Sequence, residues 1–247
     1  MDFVKSEWNG YERLDFLFEG RKAIVVLPKE KDARGRWMLK TEYFGAFPNF
    51  ELEMLSRGWG LAHIANSTRW VNPGDIEAKK PFCDFLQKEF GFAKKCLPVG
   101  MSCGGMQGVY FASMYPEYVA ALYLDAPVMN LLSCPCCIGL GIENPSREKM
   151  YREFMEKTGK TVSDLINYRN HPIDHVKNLI ENKTPVFLIC GDSDKVVPYE
   201  ENGSHLARMY RESNVPFEEI LKPGCDHHPH GIEDLAPLVA FAEKYCQ

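Results

Sequence analysis

The sequence lacks three kinds of segment that would indicate a membrane, a nucleic acid or secretion. No stretch approaches the run of about 18 apolar residues that crosses a bilayer, so we expect no membrane contact. Lysine and arginine form no cluster, and their 29 residues are outnumbered by 34 Asp and Glu, which argues against a nucleic-acid partner. The first residues do not show the basic and then apolar pattern of a secretory signal, so we expect a cytoplasmic protein.

A disulfide framework is also not indicated, because the nine cysteines are odd in number and no secretory signal accompanies them. Reduced thiols fit this pattern better. Three of them form a tight group at Cys134, Cys136 and Cys137, which could bind a metal or react chemically. No second cysteine pair at zinc-site spacing accompanies the group, so buried or loop thiols are the simpler interpretation. We therefore expect neither a metal nor a cofactor.

Apolar and aromatic residues, by contrast, are abundant. The chain of 247 residues is 45% hydrophobic and 12% aromatic, which excludes intrinsic disorder. A chain of this length can bury roughly 70–75% of its unfolded surface, enough for one sizeable core. We expect one domain over residues 1–247, and no feature of the sequence fixes an oligomeric state.

Short apolar runs alternate with segments that have helical periodicity or helix-ending residues. The predicted strands cover residues 21–28, 37–41, 60–65, 96–101, 119–125, 185–191 and 217–221. The predicted helices cover residues 48–55, 81–90, 104–115, 147–156, 162–168 and 200–213, with one more at the end of the chain. Such alternation predicts an α/β protein with a mainly parallel sheet.

Ser102 lies in the motif Gly100-Met-Ser-Cys-Gly104, between a predicted strand and a predicted helix. This is the G-x-S-x-G pattern of a nucleophile elbow, in the strand–turn–helix setting that the motif requires. Glycines permit the strained turn that exposes the serine hydroxyl, and the helix N-terminus favours negative charge above it. We therefore predict that Ser102 is a nucleophile, the alternative being an ordinary glycine-rich turn.

A serine nucleophile needs a base, and His227 is the leading candidate because its loop is expected at the carboxyl edge of the sheet. His228 and His230 are rivals, and the three together could bind a metal, although they lack the helical i, i+4 spacing. A carboxylate should orient the base, and Asp194 closely follows a predicted strand. Asp192 competes with it, but we expect Asp192 to cap the turn.

These residues carry a resemblance to the α/β-hydrolase superfamily over roughly residues 11–246. The order serine, aspartate, histidine is the order found in that superfamily. Gly-Met-Ser102-Cys-Gly-Gly resembles its elbow, and Gly-Asp-Ser-Asp194-Lys-Val-Val-Pro resembles its acid loop. Gly-Cys-Asp-His227 resembles its base loop and so favours His227, although Asp226 stands where glycine is usual.

A finer resemblance involves the segment from Trp37 to Pro48 and the run His-His-Pro-His-Gly. Both are similar to esterases of the prolyl-oligopeptidase-like, carbohydrate-esterase-like branch, which act on acylated carbohydrates. The resemblance to the superfamily implies the α/β-hydrolase fold, with a mainly parallel central sheet of about eight strands flanked by helices. It also implies a helical lid or cap inserted within the domain at residues 126–184.

The oxyanion hole is the point at which this chain departs from the family pattern. The His-Gly pair usual after the third strand is missing, and residues 40–45 occupy its place. Two backbone N–H donors about 3 Å from the developing charge are required. We expect Cys103 to supply one and Glu42 the other, with Tyr43 close behind. Glu42 could instead contact the substrate or be an ordinary surface carboxylate.

The predicted function is cleavage of a small-molecule carboxylic ester, with a small acyl group or a carbohydrate-linked ester, through an acyl-enzyme intermediate on Ser102. Tyr43, Trp70 and Met129 are predicted to contact the substrate, packing being the alternative for Trp70 and Met129. A peptidase, amidase or thioesterase of the same fold is the alternative, although the chain has little room for a gating domain. A non-catalytic binding protein is less favoured, because serine, acid and base are all present.

Overall fold

The computed structural model describes residues 2–70 and 72–247, so Met1 of the predicted domain and Val71 lie outside the described residues. Within the described ranges, nine strands form one sheet. They are β1 (Val4–Trp8), β2 (Tyr11–Phe18), β3 (Arg21–Leu27), β4 (Trp37–Lys40), β5 (Gly60–Ile64), β6 (Leu97–Met101), β7 (Leu122–Asp125), β8 (Val186–Gly191) and β9 (Phe217–Lys222).

The α-helices of the same ranges are α1 (Asn49–Ser56), α2 (Pro73–Glu77), α3 (Lys79–Phe90), α4 (Cys103–Met114), α5 (Arg147–Thr158), α6 (Val162–Ile166), α7 (Val176–Glu181), α8 (Gly203–Arg211) and α9 (Ala236–Tyr245). Short 3₁₀ segments lie at Pro116–Tyr118, Gly139–Glu143, Pro172–His175 and Tyr199–Glu201. None of the helices in these ranges combines the length and the apolar character that crossing a membrane requires.

The strand order is β1-β2-β3-β5-β4-β6-β7-β8-β9. The first three strands and β5 pair antiparallel, and every pair from β5 to β9 is parallel. One core cluster is shared by α3, α4 and α8, and a second by α1 and α9. Successive residues of β7 alternate between the two clusters, so helices cover both faces of the sheet. The predicted α/β-hydrolase fold with a mainly parallel sheet is confirmed.

The central strands β6, β7 and β8 place the chemistry-bearing residues. All their residues are buried, as expected for parallel strands covered on both faces. Ser102 follows β6, Asp125 ends β7 and Asp194 lies three residues beyond β8. Because the carboxyl ends of parallel strands meet at one edge of the sheet, these three residues are brought to the same side of the molecule.

The amino-terminal hairpin of β1 and β2 was not expected from the sequence. With it, the sheet has nine strands within the described residues, in line with the expectation of about eight. β1 is mostly exposed and rich in charged residues, so it gives no apolar signal. In β2, buried Leu14, Phe16 and Phe18 alternate with more exposed residues. The predicted strand over 119–125 is also too long. Only an isolated bridge between Cys96 and Val119 precedes β7.

Residues 126–184, which lie between β7 and β8, form no strand in the structure. They carry α5, α6 and α7 together with two of the 3₁₀ segments. Helix α7 packs against α4, and the ring of Phe154 in α5 meets Trp70 edge-on at 5.7 Å between centroids. This segment is therefore joined to the helix that begins directly after Ser102.

A buried ion pair ties the sheet to α1 beneath the candidate site. Lys40 Nζ, at the end of β4, lies 2.5 Å from Glu51 Oε1, and the two side chains are only 1% and 2% exposed. Lys40 Nζ also lies 3.4 Å from the sulfur of Met101, the residue before Ser102. Removing one member of such a pair leaves an uncompensated buried charge.

We expect Glu51→Leu to lower the free energy of unfolding by about 3–5 kcal/mol, because Lys40 loses its buried partner. The double variant Lys40→Met with Glu51→Leu should recover most of that loss, since no charge then remains buried. Urea unfolding followed by far-UV circular dichroism measures both values. Equal losses in the single and double variants would contradict this account of the pair.

Candidate active site

Ser102 occupies a sharp turn between β6 and α4, with φ 52° and ψ −120°. Positive φ is uncommon for a residue with a side chain and is retained where the surroundings force it. The Ser102 N–H donates to the carbonyl of Asp125 at 2.9 Å, and the Val128 N–H donates to the carbonyl of Ser102 at 3.1 Å. The turn is thus fixed to the chain at the end of β7.

Two glycines beside Ser102 allow the close packing that this turn requires. A Cβ atom on Gly100 would lie 2.5 Å from the carbonyl oxygen of Gly104, and one on Gly105 would lie 2.5 Å from Cβ of Pro127. A Cβ atom on Gly104, the last glycine of the motif, would lie 3.2 Å from the nearest side-chain atoms, those of Thr41 and Glu42. The tightest approach on the helical side is therefore at Gly105, where α4 passes the segment that follows β7.

The three residues predicted as a triad are brought together in the structure. His227 Nδ1 lies 2.7 Å from Asp194 Oδ2, and His227 Nε2 lies 3.2 Å from Ser102 Oγ. All three residues are largely buried, with exposures of 9% for Ser102 and 6% each for Asp194 and His227. This geometry lets a hydroxyl pass its proton to an imidazole that a carboxylate orients.

The carboxylate of Asp194 is itself held in place by backbone donors. Its Oδ1 accepts hydrogen bonds from the N–H groups of Val196 and Val197, both at 2.8 Å. Its Oδ2 remains directed to His227. Asp192, the competitor, accepts instead from the Gly224 N–H at 2.7 Å. It therefore ties the two loops together without touching the histidine ring.

Asp226, the departure from the family's usual glycine, also holds these two loops. Its Oδ1 accepts from the Lys195 N–H at 2.9 Å and from the His227 N–H at 2.7 Å. The bond from Lys195, followed by that from His227, keeps the pKa of Asp226 below its usual value. The side chain at this position thus links His227 to the loop that carries Asp194.

A second histidine–aspartate pair lies beside the first and was not predicted from the sequence. His230 Nδ1 lies 2.7 Å from Asp125 Oδ1, while the Gly231 N–H donates to Asp125 Oδ2 at 2.5 Å. Burial acts to raise the pKa of Asp125, but the bond and charge of His230, the Gly231 N–H and the charge of Lys222 together lower it. The position of Asp125 at the end of a buried strand could have indicated a carboxylate at this edge of the sheet, but not its pairing with His230.

His228, the remaining rival base, is bonded to no carboxylate among the described residues. Its ring stacks on Phe47 at 5.5 Å between centroids and lies 4.9 Å from the rings of His227 and His230. Burial, followed by the neighbouring histidines, lowers the pKa of His228. His227 is therefore the histidine of this loop with a hydrogen bond to Ser102.

Ser102 and the loop 227–230 border a cavity of about 440 Å³. Its apolar lining includes Tyr43, Phe47, Met101, Met150 and Val196. Residues 144–146 and Met150 come from the segment between β7 and β8, so that segment forms one wall. A volume of this size is within the range of sites that take small molecules.

The residues expected near the oxyanion hole lie close to this cavity. Tyr43 lines it, whereas the carboxylate of Glu42 accepts a hydrogen bond from Asn66 Nδ2 at 2.6 Å. Cys103 begins α4, so its N–H is among those that a helix leaves without an intrahelical partner. Burial raises the pKa of the Cys103 thiol to about 11, which keeps the thiol protonated near neutral pH.

Two residues predicted to contact the substrate lie in a core cluster of the structure. Trp70 and Met129 are both 0% exposed and neither lines the cavity. Trp70 packs against Phe154, and the Met129 N–H donates to Asn202 Oδ1 at 2.9 Å. Large apolar residues near a cleft look the same in the sequence whether they face substrate or the core. Trp70 and Met129 belong to the core.

Arg69 is a cavity residue that the sequence analysis did not single out. Its guanidinium pairs with Glu153 of α5, with 2.9 Å between Arg69 Nε and Glu153 Oε1, and lies 4.9 Å from the centre of the Trp70 ring. Burial acts to lower the pKa of Arg69, but the bond to Glu153 helps raise it above its usual value. The ion pair joins the loop after β5 to α5 at the cavity wall.

The fold and the site define an α/β-hydrolase class of protein, and comparison with known families narrows the class. The model of the prolyl oligopeptidase family matches residues 82–247, about two thirds of the chain. The matched region includes Ser102, Asp194 and His227. The chain belongs to the prolyl oligopeptidase family.

Among curated proteins, the chain is similar to acylamino-acid-releasing enzymes. It is 28% identical to the rat enzyme over 150 residues and 27% identical to the mouse enzyme over 181 residues. These matches cover 60% and 72% of the chain but only 20% and 24% of the relatives. The chain therefore matches about a fifth to a quarter of each relative's length.

Among solved structures, the chain is similar to the esterase Pf2001 of Pyrococcus furiosus. The TM-score is 0.66 at 12% sequence identity, and the match covers 99% of this chain and 98% of the esterase. At this low identity the likeness shows a shared fold.

The glycine at position 100 gives a direct test of the elbow. We expect Gly100→Ala to reduce kcat for a hydrolysed substrate by about 100-fold, because displacing reacting groups by about 1 Å costs that much. Gly74→Ala is the matched control, since a Cβ there would meet its nearest atom at an ordinary 3.6 Å. Steady-state kinetics on both variants make the comparison, and full activity in Gly100→Ala would contradict the packing described.

Proposed function

We propose that this protein is a serine hydrolase that cleaves a carboxylic ester with a small acyl group or a carbohydrate-linked ester. The observation that carries the proposal is the hydrogen-bonded chain from Asp194 through His227 to Ser102 at the wall of a cavity. A serine hydroxyl is a weak nucleophile unless a neighbouring base takes its proton, and this arrangement supplies that base.

In the proposed reaction, Ser102 Oγ attacks the acyl carbon while its proton passes to His227 Nε2. Asp194 holds Nδ1 and stabilises the imidazolium that forms. The imidazolium then gives its proton to the departing alcohol, which leaves an acyl group on Ser102. Water attacks this acyl-enzyme with His227 again as base, and the acid product and free serine result.

The negative oxygen of each tetrahedral intermediate needs donors that are already in position. We propose the backbone N–H groups of Cys103 and Glu42 for this role. The N-terminus of α4 adds favourable electrostatics, because the partial positive charge of a helix dipole lies at that end. A Cβ placed on Gly104 would lie 3.4 Å from the Glu42 nitrogen, so these two segments approach each other closely.

The proposed lid is the segment 126–184, inserted between β7 and β8 of a single domain. Asn144, Pro145, Ser146 and Met150 of this segment line the cavity, and the Arg69–Glu153 pair connects it to the loop after β5. These contacts support a role in setting which acyl or alcohol group fits. A lining of apolar side chains with a few polar groups is typical of small-molecule sites.

A cavity of about 440 Å³ has room for a small ester, and the esterase Pf2001 of Pyrococcus furiosus shows that this fold can carry ester hydrolysis. The second candidate is release of an acylated amino acid from a peptide. The named activity of the rat and mouse relatives favours it, although the match spans only part of those enzymes.

Replacement of the nucleophile tests the mechanism. We expect Ser102→Ala to lower kcat by about 10⁴–10⁶-fold and Asp194→Asn by about 10⁴-fold, with the far-UV circular dichroism spectrum unchanged. Ser56→Ala, at an exposed serine that bonds only the Glu53 carbonyl, is the control and should keep full activity. A Ser102→Ala protein with more than a tenth of the activity would rule out this mechanism.

A paired substrate panel tests the bond that is cleaved. We expect kcat/KM for acetylated sugars and short alkyl esters to exceed that for an N-acetylated dipeptide by at least about tenfold, the scale on which pocket contacts discriminate substrates. Each rate is taken relative to Ser102→Ala, which removes the background reaction. A higher kcat/KM for the acetylated dipeptide would favour the second candidate instead.

A further inference from the structure

The loop at residues 227–230 brings three imidazoles together at the cavity. The centroid of the His227 ring lies 4.8 Å from that of His230 and 4.9 Å from that of His228, and the His228 and His230 rings are also 4.9 Å apart. One ring nitrogen of each histidine lies within 4.8 Å of one ring nitrogen of each of the others. The proposed reaction uses only His227.

Two of these rings are oriented by buried carboxylates through the same ring atom. Asp194 holds His227 Nδ1 and Asp125 holds His230 Nδ1, each at 2.7 Å. Asp194 is 6% exposed and Asp125 is 1% exposed. Both histidines therefore keep Nε2 as the nitrogen available to a ligand. Zinc-binding histidines commonly have this arrangement, in which a carboxylate fixes the ring through its other nitrogen.

The third ring is free to adjust. His228 is exposed, and its ring forms no hydrogen bond with any other residue of the described ranges. At Zn–N distances of about 2.0–2.1 Å, tetrahedral geometry places ligand nitrogens about 3.3 Å apart. The nitrogens have to close by at most about 1.5 Å to meet that geometry. Rotation of the exposed His228 ring changes two of the three separations. A small movement of the loop has to bring His227 and His230 together, with both rings still held at Nδ1 by their carboxylates.

We propose that His227, His228 and His230 bind one Zn²⁺ ion, which reversibly blocks the base. Zinc takes three imidazole nitrogens and leaves its fourth position to water in the cavity. Once zinc occupies Nε2 of His227, that nitrogen cannot accept the proton of Ser102. The metal is thus an inhibitor rather than a cofactor. Inhibition by zinc rests on the proposed function, whereas the binding of zinc does not depend on it.

Isothermal titration of ZnCl₂ into the metal-free full chain measures the binding directly. We expect one ion per chain, with equal affinity in the wild type and in Ser102→Ala. His228→Gln and His230→Gln should each weaken binding at least about tenfold, as should Asp125→Asn, because loss of a carboxylate that orients a zinc ligand costs about 10–100-fold. His205→Gln, which alters a histidine of α8 outside the loop, should bind as the wild type does.

Ester hydrolysis is measured on the same wild-type samples. Activity should fall in proportion to zinc occupancy and return on addition of EDTA. In His228→Gln, whose activity is compared with that variant's own metal-free rate, the same inhibition should require more zinc. Absence of zinc binding overturns the inference. Equal zinc affinity in the two histidine variants and the wild type also overturns it, and would indicate that zinc binds to free thiols instead. Zinc binding by a chain that hydrolyses no ester overturns the proposed function and leaves the metal site standing.

Discussion

The turn at Ser102 is the constraint on which the site depends. Its positive φ costs about 1–3 kcal/mol for a residue with a side chain, and it persists only because the neighbouring structure fixes it from both sides. The N–H and carbonyl of Ser102 are both bonded to the segment that ends β7, and Gly105 lets α4 approach that segment. The position of Ser102 is thus set by packing between β6, β7 and α4 rather than by the local sequence alone.

The same edge of the sheet carries two buried aspartates that hold one loop at two points. Asp194 receives backbone donors from its own loop and Asp125 receives one from Gly231, so neither carboxylate depends on its histidine alone. Buried carboxylates need such donors to remain charged. His227 and His230 are consequently fixed against the end of the sheet, and only His227 lies within hydrogen-bond distance of Ser102.

Much of this arrangement could be predicted, because each of its motifs is local. The class of fold follows from alternating strands and helices, and Ser102, Asp194 and His227 each stand beside a predicted strand or helix. The β1–β2 hairpin could not be predicted in the same way, since its edge strand is polar and its pairing is a tertiary effect. The His230–Asp125 pair joins residues 105 positions apart, and no local pattern indicates which histidine meets which carboxylate.

The central claim is that Ser102 is the nucleophile. Reaction of the chain with a fluorophosphonate, followed by peptide mass spectrometry, tests it most directly. The account predicts one label per chain, on the peptide that contains Ser102, with hydrolysis lost in proportion to labelling because the acyl-accepting oxygen is then blocked. Hydrolysis that remains intact when Ser102 is fully labelled, or that is lost while Ser102 is unlabelled, would contradict it.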